Sequence, residues 1–136
     1  MNGKVFSLML LMAVFGLGSC LSNKGADTHT SKNTLDWAGV YTGTIPSASG
    51  TGIDVRMKLI MDQSFELNYV YLDKPDGSFG WTGSFQWDEK TGIIKLDIND
   101  APPYYKVVEN MLIQLDMNGK PITGMLADNY VLKKQP

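Results

Sequence analysis

Between residues 53 and 61 the chain alternates strictly: Ile53, Val55, Met57, Leu59 and Met61 are apolar, while Asp54, Arg56 and Lys58 between them are charged. A side-chain period of two belongs to a β-strand with one dry face and one wet face, and wound as a helix the same residues would scatter charge all round. Phe65, Leu67, Tyr69 and Tyr71 repeat the pattern. Phe79, Trp81, Phe85 and Trp87 repeat it again, alternating with Gly80, Thr82, Ser84 and Gln86. Each row is expected to point inward.

The stretches between the rows carry tight-turn chemistry. Asp62-Gln63-Ser64 separates the first two rows, and Lys74-Pro75-Asp76-Gly77 has proline and glycine where a type I turn favours them. Asp88 to Gly92 follows the third row, Glu109-Asn110 divides Tyr104–Val108 from Met111–Met117, and Asn118-Gly119 is a strong hairpin signal. Tyr130-Val131-Leu132-Lys133 reads as the last strand. No window shows a capped helical period, so the reading is all-β, with about eight short strands and no substantial helix. Consecutive hairpins predict a small antiparallel meander closed or nearly closed into a barrel, since closure removes exposed edges. A small β-sandwich is the alternative. Gly39, Gly43, Gly80 and Gly83 fall inside strand patterns, where glycine marks bulges and sharp bends.

The amino-terminal third reads differently. Lys4 precedes an apolar run from Val5 to Leu17, the charged and hydrophobic regions of a secretory signal. The run falls short of the roughly 20 residues needed to cross a bilayer core. Leu17-Gly18-Ser19-Cys20 resembles the bacterial lipobox, in which the cysteine is acylated and becomes the new amino terminus, and Cys20 is the only cysteine present. Residues 1–19 are thus read as a lipoprotein signal peptide, residues 20–34 as the lipidated Cys20 and a flexible tether, and residues 35–136 as the folded domain. More than one acyl chain makes a stable anchor where a single chain is marginal. The tether is too polar to fold alone, and as a coil it reaches roughly 20 Å.

Three stretches carry a family resemblance: Leu35-Asp36-Trp37-Ala38-Gly39-Val40-Tyr41-Thr42-Gly43-Thr44-Ile45-Pro46, Gly52-Ile53, and Leu115-Asp116 through Leu126-Ala127-Asp128-Asn129-Tyr130-Val131-Leu132. In order and spacing they resemble the amino-terminal domain of the NlpE family of envelope lipoproteins, also called copper-resistance proteins. The resemblance implies a lipocalin-like β-barrel on a lipid anchor, with roles in copper tolerance, surface-contact sensing and signalling to an envelope stress kinase. It implies no catalysis. Longer members continue into a second domain near the point where this sequence ends. The family carries Cys-x-x-Cys after the first strand's proline, a pair suited to a soft metal such as Cu(I) or to a reactive disulfide. Here Ser47 and Gly50 stand at those two positions.

Other chemistry is thinly supplied. The chain has 12 Lys and Arg against 14 Asp and Glu with no basic cluster, which argues against nucleic acid. Its one histidine, His29, lies in the tether, and the one cysteine is expected to be acylated, so a nucleophilic site lacks both nucleophile and base. Asp97, Asp100, Glu109, Asp116 and Asp128 read as ordinary wet-face and turn carboxylates. Met57, Met61, Met111 and Met117 share alternation with aliphatic neighbours and read as core filling rather than copper ligands, and Met125 is assigned no ligand role. The reading is therefore no enzyme, no cofactor and no metal.

Phe79, Trp81, Phe85 and Trp87 are the candidate lining of an apolar cavity, with a packed core as the competing reading. Two functions follow: an anchored lipoprotein that senses envelope stress or surface contact by touching a sensor protein, and, alternatively, a binder of a small apolar ligand or of copper. Leu21, rather than Asp, follows Cys20. By resemblance to Gram-negative sorting this implies the outer membrane, facing the periplasm, with the domain a monomer.

Overall fold

A computed structural model describes residues 31–136, so the expected signal peptide, Cys20 and His29 lie outside the described residues. The last residues of the expected tether, Ser31–Thr34, form one helical turn (α1). Eight strands follow: β1 (Gly39–Ile45), β2 (Ile53–Leu59), β3 (Ser64–Tyr71), β4 (Ser78–Asp88), β5 (Ile93–Leu96), β6 (Tyr104–Val108), β7 (Met111–Gln114) and β8 (Val131–Lys134), with a 3-10 turn at Ala127–Asn129. Each strand pairs antiparallel with the next, and β8 returns to β1, giving a closed up-and-down barrel. The barrel expectation holds and the sandwich alternative does not.

The period-two rows become the lumen. Tyr41 of β1 sits opposite Met57 of β2, Met57 opposite Leu67 of β3, and Leu67 opposite Trp81 of β4. Ile94, Tyr105 and Leu112 continue the core on the other wall and are fully buried. Gly43 allows the barrel to close: a Cβ there would lie 2.5 Å from the Val131 carbonyl oxygen of β8.

β4 explains why one aromatic row has two fates. At 11 residues it runs roughly 35 Å, longer than a single barrel wall requires. Ser78–Ser84 pairs with β3 and Phe85–Asp88 with β5, with the change of partner between Ser84 and Phe85. Phe79 and Trp81 therefore stand at one end of the lumen and Phe85 and Trp87 at the other. Phe79 is 50% exposed rather than packed inward.

Two further expectations are corrected. Met61 lies beyond the end of β2 in the turn to β3 and is 72% exposed. In β7 the inward face is Leu112 and Gln114, not Met111 and Ile113, because the Glu109-Asn110 turn, with Asn110 at φ 58°, sets Leu112 opposite Val107. A one-residue change of register exchanges the two faces of a strand. Of the strand methionines read as core, only Met57 is buried, and Met111 and Met117 are exposed.

The two ends of the barrel differ. The β1–β2, β3–β4, β5–β6 and β7–β8 connections gather at one end, the mouth, and the shorter β2–β3, β4–β5 and β6–β7 turns at the other, the base. The base is closed by the residues ahead of β1. Trp37 packs edge-on against Phe85 and Trp87, with ring centroids 5.7 and 5.6 Å away, and its indole N–H donates to the Lys32 carbonyl at 3.2 Å. The Tyr41 hydroxyl donates to the Trp37 carbonyl at 2.7 Å. Lys134 donates to the Asp36 carbonyl at 2.6 Å and pairs with its carboxylate at 3.1 Å, tying the last strand to the same segment.

Candidate functional site

The mouth opens on a cavity of about 570 Å³, within the range of about 300–1,000 Å³ usual for small-molecule sites. Its walls come from strand ends, where inward side chains have no further layer above them. Ile45 and Ile53 face each other across β1 and β2, and Tyr71 ends β3 opposite Ile53. Phe79 and Trp81 of β4 both line the cavity and lie nearly parallel, 26° apart with centroids 6.4 Å apart. Tyr69 stands edge-on to Trp81 at 5.1 Å and Tyr71 edge-on to Phe79 at 5.7 Å. Asp100, Ala101 and Pro102 of the β5–β6 loop and Tyr130 ahead of β8 complete the rim.

The floor is polar. Tyr69 and Gln114 line the cavity while each is only 4% exposed, and Tyr105, fully buried, sits beside Gln114 in the β6–β7 register. The Tyr69 hydroxyl, the Tyr105 hydroxyl and the Gln114 carbonyl oxygen have no hydrogen-bond partner in the protein. Burial pushes the Tyr105 hydroxyl well above its ordinary pKa, and the charge Tyr69 would carry adds to this. Burial likewise raises Tyr69, with an opposing pull from the neighbouring Tyr105 hydroxyl. The two phenols sense each other without achieving good hydrogen-bond geometry. Buried polar groups are nearly always satisfied, so three unpartnered atoms at one place mark the floor as unusual. Trp87 Nε1, at the base, is also unpartnered.

Of the four aromatic candidates, Phe79 and Trp81 line the cavity, while Phe85 and Trp87 pack on Trp37 at the base. The alternation of β3 pointed to Tyr69 and Tyr71. Gln114 was hidden by the opposite phase assigned to β7, although an amide inside an apolar strand was a readable signal.

The loop at the family's thiol positions does not fit copper. Ser47 Oγ accepts from the Gly52 N–H at 3.1 Å and lies 3.1 Å from Ser49 Oγ, so it builds the loop, and Gly50 has no side chain to offer. Among the described residues no three His, Cys, Asp or Glu side chains come together to hold a metal. The exposed methionines do not converge on one site, since Met61 and Met111 belong to the base and Met117 and Met125 to the long mouth loop. Of the acidic candidates, Asp116 is engaged in its own turn, accepting from Asn118 and Lys120.

An antiparallel eight-stranded barrel, closed at one end by a tryptophan plug and open at the other on an aromatic cavity, belongs to the class of lipocalin-like barrels. Within that class the chain belongs to the NlpE family, whose amino-terminal domain profile matches residues 41–125. A crystal structure from Shewanella oneidensis, described as a lipoprotein, is 46% identical over 79% of this chain and 96% of that one, with a TM-score of 0.71. The Cpx pathway activator NlpE from Escherichia coli shares the fold at 24% identity and a TM-score of 0.53, over 64% of this chain and 46% of that one. No curated protein sequence matches the chain.

Proposed function

We propose that this chain is an envelope lipoprotein that reports stress or surface contact to a sensor protein. Residues 1–19 are removed, Cys20 is acylated, residues 20–34 serve as the tether, and residues 35–136 form the barrel held on the periplasmic face of the outer membrane. The observation that carries the reading is the polarity of the barrel. The chain enters at the closed base through Trp37, so the four mouth connections are turned away from the anchored end. An NlpE-family barrel arranged this way presents its longer loops to a partner, as befits a relative described as a Cpx pathway activator. Loops positioned on a rigid scaffold are the usual carriers of recognition. The reading gives the chain no catalytic role.

Replacing Cys20 by Ala tests the anchor: label from an alkyne analogue of palmitate should disappear and the protein should leave the membrane fraction. In cells carrying an envelope-stress reporter, overproduced wild type should raise the signal and the Cys20→Ala variant should not. Unchanged labelling, or a reporter indifferent to both proteins, would remove this reading.

The mouth cavity supports a second reading, the binding of a small apolar ligand, because aromatic walls around an open pocket of about 570 Å³ are ordinary ligand-site chemistry. Copper is the poorer ligand for this chain, given Ser47 and Gly50 in place of the thiols.

A further inference from the structure

We infer that the mouth cavity takes a neutral, flat molecule bearing a hydroxyl or carbonyl group, its ring between the aromatic walls and its polar end on Tyr69 and Gln114. This rests on the second reading above and gives it a ligand class. Flatness follows from the aromatic lining: Phe79 and Trp81, nearly parallel at 26°, both border the cavity with Tyr71, and a planar ring packs on such rings in the offset or edge-on geometry aromatic pairs prefer. Neutrality follows from the charges. No Lys, Arg or His lines the cavity, and the one charged lining group is Asp100, so a carboxylate would enter without a counter-ion. A cation is disfavoured at the entrance by Lys74, whose ammonium lies 5.3 Å from the centre of the Tyr71 ring.

The polar end follows from the floor. The Tyr69 hydroxyl can donate and accept, the Gln114 carbonyl can accept, and neither finds a partner in the protein. Tyr105 stands behind them with its own hydroxyl unpartnered and supports the same polar spot. A ligand hydroxyl reaching this floor would satisfy groups that otherwise stay buried and unpaired, and a site built to bond such a group discriminates against analogues that lack it. A purely hydrocarbon ligand would leave them unsatisfied.

Three matched probes test this on the full chain carrying Cys20→Ala, purified without detergent: 2-naphthol, naphthalene and 2-naphthoate, followed by calorimetry and by NMR. The expected result is that 2-naphthol binds at least about tenfold more tightly than the other two, with shifts at Tyr71, Phe79 and Trp81. Tyr69→Phe and, separately, Gln114→Met should each bring 2-naphthol toward the affinity of naphthalene while the spectrum stays folded. Equal binding of naphthol and naphthalene would overturn the polar-end assignment yet leave an apolar pocket. Tightest binding by 2-naphthoate would overturn neutrality. No uptake of any probe would remove this inference and the second reading together, without touching the anchor or the sensor contact.

Discussion

Two fully buried tyrosines show how little burial alone says about what a side chain contributes. Tyr41 and Tyr105 are both inaccessible, but the Tyr41 hydroxyl donates to the Trp37 carbonyl at 2.7 Å while the Tyr105 hydroxyl has no partner. Removing a satisfied hydroxyl strands its acceptor, whereas removing an unsatisfied one relieves a desolvation cost. Tyr41→Phe should therefore destabilise the barrel by about 1–3 kcal/mol. Tyr105→Phe should leave its stability unchanged or raise it. Urea unfolding of the two variants side by side checks the contrast, and equal losses would contradict the assignment of partners.

The alternation of β2 and β3 was fully legible because both strands keep one register over their length, Ile53 to Leu59 against Phe65 to Tyr71. The row in β4 was legible in direction only: nothing in Phe79, Trp81, Phe85 and Trp87 announces that the strand changes partners after Ser84 and divides them between two ends. Short β7 misled because its phase is set by the left-handed Asn110 in the preceding turn rather than by its own residues. The floor was missed for the same reason, since Gln114 and Tyr105 meet only through that register. Closure between β1 and β8 depends on Gly43, where a Cβ would strike the Val131 carbonyl oxygen. Gly43→Ala should cost about 1–3 kcal/mol through forced backbone shifts, read as a lowered Tm.

The turns carry a pH signature of their own. Asp62 is held below the ordinary carboxylate range chiefly by the Ser64 hydroxyl, which donates to it at 2.5 Å, and by the Ser64 N–H at 2.9 Å. Asp116 is lowered by the Lys120 and Asn118 amides. A depressed pKa means the folded state prefers the ionised form, so this stabilisation is complete above the unfolded value near 4 and fades as pH falls through the folded values. NMR titration should find both carboxyls ionising below the ordinary aspartate value near 4.

Considered as one object, the barrel keeps three phenols neutral. Tyr41 is pushed up to about 12 by burial and by the Asp36 carboxylate, and burial is also the main cause of the raised values of Tyr69 and Tyr105. Raised phenol pKa values favour the folded state while the groups stay protonated, so the stabilisation is whole below about pH 10 and declines as pH rises beyond it. Thermal unfolding should show a Tm that drops above pH 10, with phenolate absorbance appearing at the unfolding transition rather than before it. Early phenolate absorbance from the folded protein would contradict the buried placement.

The base closure also sets how the molecule bears tension. β1 and β8 are in register only through Tyr41 with Lys134 and Thr42 with Lys133, and the Gln135 N–H reaches the Val40 carbonyl at 2.7 Å beside them. A pull entering through Lys32 is met first by Trp37 and by the Lys134–Asp36 tie, at one edge of that short seam. Under such a pull the barrel is expected to yield by unzipping from that corner of the base, with the aromatic mouth, at the far end of the strands, the last part to feel the load.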